Sequence, residues 1–118
     1  MSNYWKDLLV WQKSHFLVKE IYHIILSFPK NERFILIDQI KRASISIPTN
    51  IVDGHSKYSK KEFVRFLFIS RGSLEELRYL ILLSKDLEFI TEENYKSIEN
   101  QCREISLMLN KLIASLSQ

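Results

Sequence analysis

Lys57, Lys60 and Lys61 fall close together around Tyr58, with His55 just before them. Ammonium groups attract phosphate oxygens and an aromatic ring can stack on a base, so this set suits contact with nucleic acid. Arg65 follows one helical turn later, and Lys41 and Arg42 come earlier in the chain. With Arg71, seven basic residues between 41 and 71 stand against Asp53 and Glu62 alone. A basic concentration of this kind can draw in a phosphate backbone, although it also describes an ordinary solvated face.

Other chemistry has less support. A di-iron helical bundle needs two Glu-x-x-His pairs and two further inward glutamates. This chain offers one such pair, Glu20 with His23, and both can lie on the wet side of a helix. His15 falls on an apolar stripe and reads as a hydrogen-bonded interfacial histidine. No HExxH, paired CxxC or nucleophile-elbow sequence occurs. The two glycines, Gly54 and Gly72, cannot build a phosphate-cradling loop. Glu75 and Glu76 are adjacent, so on a helix they point about 100° apart and do not form an acid–base pair. Glu75 is expected to support Arg71 or Tyr79 on its own face. Cys102 sits on an apolar seam and reads as a small buried hydrophobe, not a nucleophile. The inventory predicts no catalytic residue, no metal, no cofactor and no small-molecule substrate.

The elements that carry these residues follow from composition and periodicity. The 118 residues are 46% hydrophobic with two glycines and two prolines, too apolar for disorder and too poor in turn formers for a many-stranded sheet. One domain spanning 1–118 is expected. Formal charge is +3 and the pI about 9.0. Residues 1–65 carry 11 basic and 6 acidic side chains, whereas residues 66–118 carry 6 and 8. A lone cysteine is compatible with a reducing cytoplasm. The opening MSNYWKDLLV has Lys6 and Asp7 where an export signal needs an apolar run. No uncharged run reaches the ~18 residues of a membrane span. Cytoplasmic localisation without membrane contact is therefore expected.

Four helices are predicted. The first runs from about Asp7 to Phe28 and ends at Pro29, because the residue before a proline is pushed out of helical geometry. It carries two apolar stripes, one through Leu8, Trp11, Val18, Tyr22 and Ile25, the other through Val10, Leu17, Ile21, Ile24 and Phe28. The second starts near Asn31 or Glu32 and reaches Gly54, with Pro48 inside its stripe of Ile40, Ala43, Ile47 and Ile51. A proline there costs ~3 kcal/mol or more, so a kink compensated by neighbouring structure is predicted. Ala43, Ser44 and Ser46 are small enough to admit another backbone, and Gly54 suits a left-handed helix end.

Ser59 and Glu62 form a capping box before the third helix, whose face is Phe63, Phe66, Leu67, Ser70, Leu74, Leu77, Ile81 and Ser84. Gly72 is tolerable there if a neighbour packs against it. The fourth helix is capped by Thr91 and carries a heptad seam through Tyr95, Ile98, Cys102, Ile105, Leu109, Leu112 and Leu116. Short connections predict an all-α, up-down-up-down antiparallel four-helix bundle. The apolar excess on helices 1 and 2 predicts self-association.

Over roughly residues 4–90 the chain resembles the four-helix-bundle proteins encoded in intervening sequences of bacterial 23S ribosomal RNA genes. The likeness rests on Trp11-Gln12-Lys13, Ile21-Tyr22, Phe28-Pro29-Lys30 with Glu32, and Gln39-Ile40 with Arg42-Ala43. It continues through Ser46-Ile47-Pro48 with Asn50-Ile51 and Gly54, Lys61-Glu62-Phe63 with Phe66-Leu67, and Gly72-Ser73 with Glu76-Leu77. Ile35 stands where that family commonly has glycine, Asp53 where it has glutamate, and Val52 and Ser70 where it has alanines. The resemblance implies a ring-like homopentamer without enzymatic activity. The chain is also similar to the accessory variability proteins of diversity-generating retroelements, basic pentamers that bind nucleic acid and a reverse transcriptase.

Two functions are therefore carried forward. The first is a homo-oligomer that contacts RNA or a ribonucleoprotein through Lys41, Arg42, Lys57, Lys60, Lys61 and Arg65. The second is a protein-interaction scaffold, or a retroelement accessory protein, that does not itself bind RNA. A metal-dependent bundle using Glu20 and His23 is a distant third.

Overall fold

The computed structural model describes residues 4–118, so the first three residues of the opening MSNYWKDLLV stretch lie outside it. Four long helices make up most of the described chain: α1 (Leu9–Ile24), α2 (Asp38–His55), α3 (Lys60–Asp86) and α4 (Glu92–Leu116). Among the described residues there is no strand. At ~1.5 Å per residue α3 spans roughly 40 Å, so it accounts for nearly all of the 44 Å long axis.

Each helix packs on its predecessor and its successor, and α4 closes against α1. The cross-helix contacts give the directions. Gly54 lies on Phe63 and Phe66, and Ser46 meets Ser73, so α2 and α3 run oppositely. Arg78 pairs with Glu99 while Arg71 reaches Asn110, which reverses α4 against α3. Lys13 pairs with Glu104 at 3.2 Å, and Phe28 meets Phe89 with ring centres 5.6 Å apart, which does the same for α1 and α4.

The ends of the first two helices differ from the expected ranges. Regular α1 stops at Ile24 and its last turn tightens into a 3-10 turn, Ile25–Ser27. Phe28, held extended ahead of Pro29 (φ −72°, ψ 151°), donates its N–H to the Ile25 carbonyl at 3.1 Å. The segment expected to open helix 2 is instead a 3-10 turn (Lys30–Glu32) and a π turn (Arg33–Ile37). The wide turn buries Leu36 and Ile37 while leaving Phe34 and Ile35 largely exposed.

Helix α2 continues on both sides of Pro48. Side chains supply hydrogen bonds around the missing N–H. The Thr49 hydroxyl donates to the Ile45 carbonyl (2.8 Å), the Asn50 amide to that of Ser46 (2.8 Å), and the Ser70 hydroxyl of α3 to that of Ile47 (2.9 Å). Asn50 also donates to the Ser46 hydroxyl at 2.9 Å, and the Ser46 and Ser73 hydroxyls lie 2.7 Å apart. The three carbonyls preceding the proline are thus each held by a side-chain donor, two local and one from the neighbouring helix.

Both glycine expectations are corrected. Gly54 does not end the helix in a left-handed conformation, since no glycine has positive φ. It lies within α2, where a Cβ would sit 2.8 Å from Phe66 Cβ and 2.9 Å from Phe63 Cδ1. Its role is close approach of α3, not a turn. Gly72 has open space around the position of a Cβ, so no neighbour packs against it. Among the described residues it is Glu88 (65°), at the end of α3, that adopts positive φ. There the Phe89 N–H returns to the Ser84 carbonyl at 2.9 Å and closes the helix.

The core takes the second α1 stripe, with Leu17 and Ile21 fully buried, and the expected stripe of α2. On α3, Leu80 joins the expected face while Phe66 is only half-buried; on α4, Ile113 replaces Leu112 as the better-buried residue. The buried serines are all satisfied: Ser14, Ser44 and Ser84 donate to carbonyls of their own helices and Ser70 donates across to α2. Glu75 pairs with neither Arg71 nor Tyr79. Arg78, one turn on and facing α4, takes both Glu75 (2.9 Å) and Glu99 (2.6 Å), while Arg71 turns to Asn110. The hydrogen bond that Arg78 donates to Glu99 is the main reason its guanidinium is held above its ordinary pKa.

The glycines give opposite expectations for one substitution. In Gly72→Ala the methyl meets nothing and alanine is the better helix former, so stability should rise by ~1 kcal/mol. Gly54→Ala should instead lose about 1–3 kcal/mol, because Phe63 and Phe66 must move. Urea unfolding midpoints of the two variants check both signs.

Candidate nucleic-acid interface

The connection between α2 and α3 is short and well fastened. Its first part closes α2, with Ser56 N–H on Val52 O and Lys57 N–H on Gly54 O, both at 3.1 Å. The Ser56 hydroxyl donates to the Asp53 carbonyl at 2.7 Å. Ser59 then caps α3 as expected, its hydroxyl accepting the Glu62 N–H at 3.1 Å. The Glu62 carboxylate does not fold back to complete the capping box but accepts from Arg65 at 3.1 and 3.4 Å.

This turn brings four of the six candidate cations to one end of the bundle. The Lys57 ammonium lies 5.1 Å and the Arg65 guanidinium 4.6 Å from the centre of the Phe66 ring, so both converge on one aromatic ring. Lys60 and Lys61, in the first turn of α3, are exposed. Glu62 registers the local field: its carboxyl is held below the usual carboxylate value by the Arg65 hydrogen bond first, then by the charges of Arg65, Lys57 and Lys61.

The other two candidates are elsewhere. Lys41 is half-buried with its ammonium 5.3 Å from the Tyr22 ring, on the α1–α2 face. It precedes Lys57 by sixteen residues, roughly 24 Å along helical backbone. Arg42 is exposed on the α2–α3 groove, beside Gln39, Ser46 and Glu76. Adjacent residues on a helix point about 100° apart, which separates these two although the sequence sets them together. Arg71, the seventh basic residue of the stretch, faces α4. The 41–71 concentration is therefore a cluster in sequence and four separate places in space.

Sequence spacing missed a contribution from the N-terminal segment. Tyr4, Trp5 and Lys6 come to the same end of the bundle, with Tyr4 and Trp5 lining a cleft of about 640 Å³ together with Lys57, Tyr58 and Lys60. The Lys6 ammonium lies 5.6 Å from both the Tyr4 and Trp5 rings. More than fifty residues separate these groups in the chain, and only antiparallel pairing joins them.

The remaining sequence candidates do not assemble into a reactive centre. Glu20 is half-buried and His23 exposed, along a shallow groove with Asn94 and Ser97. Among the described residues no three of His, Cys, Asp and Glu come together as a metal site. His15, expected as a hydrogen-bonded interfacial histidine, is exposed on the outer stripe of α1, its ring stacked on Trp11 at 4.9 Å. Cys102 is fully buried, and burial is the main cause that pushes its thiol up to about 12. Among the described residues, no helix is long and apolar enough to cross a membrane.

The described residues thus form an all-α four-helix bundle with a basic, aromatic-lined end. The chain is a member of the 23S rRNA-intervening sequence protein family, whose model matches residues 6–111. It is similar to a crystallised protein of unknown function of the S23 ribosomal protein family from Bacteroides thetaiotaomicron VPI-5482. The two are 30% identical with a TM-score of 0.80, over 89% of this chain and 98% of that one. Comparison with curated proteins gives no match.

The buried thiol carries a prediction. A disulfide reagent at pH 8 should leave Cys102 unmodified in the folded protein and react with it fully in denaturant. The unfolded thiol loses its proton from about pH 9, the folded one only near 12. Between these values Cys102 should lower stability by up to ~1.4 kcal/mol per pH unit, a slope that Cys102→Ala should remove in urea titrations.

Proposed function

We propose that the protein is a non-enzymatic homo-oligomer that binds RNA, or RNA within a ribonucleoprotein, through the end of the bundle formed by the α2–α3 turn. The observation that carries this reading is the convergence of Lys57, Lys60, Lys61 and Arg65 on one end, with the Glu62 carboxylate held among them by Arg65. Three ammonium groups and one partly neutralised guanidinium form a phosphate-binding surface that needs no pocket and no metal. Lys41 and Arg42, placed on other faces, have no part in it unless neighbouring subunits bring these surfaces together.

Assembly is the second half of the proposal. The outer stripe of α1 stays uncovered within one chain, with Trp11 and Val18 half-buried and Tyr22 exposed. Ile45 on α2 is exposed as well. Apolar side chains left at the surface in this way support self-association, and the family likeness supports a pentameric ring. The same basic end would also serve a retroelement accessory protein. Genomic position, inside a ribosomal RNA gene or beside a reverse transcriptase, separates the two roles.

Replacing Lys57, Lys60 and Lys61 together with glutamate should abolish RNA binding in a fluorescence titration at low salt while leaving the light-scattering mass unchanged. Loss of assembly with loss of binding, or retained binding, would overturn the assignment. For assembly, the mass should be about five times the 14.1 kDa chain. Tyr22→Glu with Ile45→Glu should bring it to that of one chain with helical content intact. A wild-type mass of one chain at micromolar concentration would remove the oligomer from the proposal.

A further inference from the structure

The cleft at the basic end has an unusual lining. Tyr4, Trp5, Tyr58 and Phe63 supply aromatic surface, Lys57 and Lys60 supply charge, and no carboxylate lines it. The other clefts described on the molecule each carry at least one carboxylate: Glu76 between α2 and α3, Glu20 and Glu104 between α1 and α4, Glu75 and Glu99 between α3 and α4. Space at a junction of chain ends is common in bundles. What marks this one is the sign of its charges together with the rings beside them.

The rings are not all absorbed by the core. Phe63 is buried, whereas Tyr4 is half exposed and Tyr58, in the turn between α2 and α3, is fully exposed. Trp5 is held from behind by an edge contact with Trp11, ring centres 4.8 Å apart, and by Tyr4 at 5.7 Å. Burying an exposed tyrosine against a ligand needs a flat partner, and cations beside it need an anion. A nucleotide combines a planar face with a negative charge a few ångströms away. A volume of about 640 Å³ lies within the 300–1,000 Å³ range of small-ligand sites.

We propose that this cleft takes an unpaired nucleotide of a single-stranded RNA segment, its base against Tyr58 and the Tyr4–Trp5 pair and its phosphate between Lys57 and Lys60. The inference rests on the RNA-binding reading above and makes it more specific. A duplex offers the basic end its phosphates but keeps its base faces stacked inside, so the aromatic part of the cleft has nothing to hold. A single strand satisfies both parts. The basic turn would therefore prefer loops, bulges and strand ends to helical RNA.

The test uses the full chain and labelled RNA at low salt: a ten-nucleotide single strand, the same sequence as a duplex, and adenosine monophosphate as a competitor. Wild type should bind the strand about tenfold or more tightly than the duplex, with quenching of tryptophan emission as Trp5 is covered. Tyr58→Ala should lose about ten- to hundredfold on the strand, the effect of one base–aromatic stack, and change duplex binding little. Because Tyr58 is fully exposed, its thermal midpoint should match wild type, which separates lost stacking from lost fold. Lys57→Gln with Lys60→Gln should weaken both RNAs. Equal affinity for strand and duplex, or no effect of Tyr58→Ala, overturns the cleft proposal and leaves the basic surface standing. Competition by the mononucleotide at the strand's own affinity also overturns it, in favour of a free nucleotide. Absence of binding to either RNA overturns the functional proposal itself.

Discussion

The close approach of α2 and α3 is the constraint on which the rest of the structure depends. Gly54 lets the two backbones meet where any side chain would strike Phe63 and Phe66. Around Pro48 the paired Ser46 and Ser73 hydroxyls and the Ser70 hydroxyl on the Ile47 carbonyl tie the two helices, while Asn50 holds Ser46 from within α2. An interior proline loses a donor and crowds a carbonyl, and a helix standing alone would have little to offset that. The carbonyl that loses its partner is that of Ser44; the three that follow it, of Ile45, Ser46 and Ile47, each accept from a side chain, and the helix continues through Pro48. Small residues, a glycine and a serine ladder make one closely fitted seam out of what reads locally as a defect.

That seam positions the turn from which the function is inferred. Because α2 and α3 meet closely at Gly54, the connection between them is short, which sets Lys57 close to Lys60 and Lys61 at the start of α3. Phe66 sits at the seam and offers its ring to Lys57 and Arg65. The Arg78 bridge to Glu75 and Glu99 plays the corresponding part between α3 and α4. It consumes carboxylates in a structural contact toward the opposite end of the bundle. Charge is thereby sorted along the molecule, which net charge alone does not reveal.

The sequence carried the four helices, most of the core and the caps at Ser59 and Thr91, because these follow from periodicity and local hydrogen bonding within a few residues. It did not carry the π turn at Arg33–Ile37, where tertiary packing of Leu36 and Ile37 decides the winding. It misassigned Gly54, since a glycine near a helix end looks the same whether it serves a turn or a close contact. Lys41 and Arg42 were grouped with the later lysines because sequence distance ignores the rotation of a helix. Tyr4, Trp5 and Lys6 were missed for the complementary reason: they join Lys57 and Tyr58 only through antiparallel packing. The local half of the site was legible, and the half assembled from distant segments was not.

The central claim is that a small, fixed set of cations at one end of the bundle neutralises RNA phosphates. Its most direct test is the salt dependence of RNA binding by the unmodified protein. Neutralising three or four phosphates on a single strand should give a slope of log affinity against log salt of about −2 to −3 per binding site. A slope near zero, or no binding at low salt, would contradict the account and leave the basic end as a solvated surface.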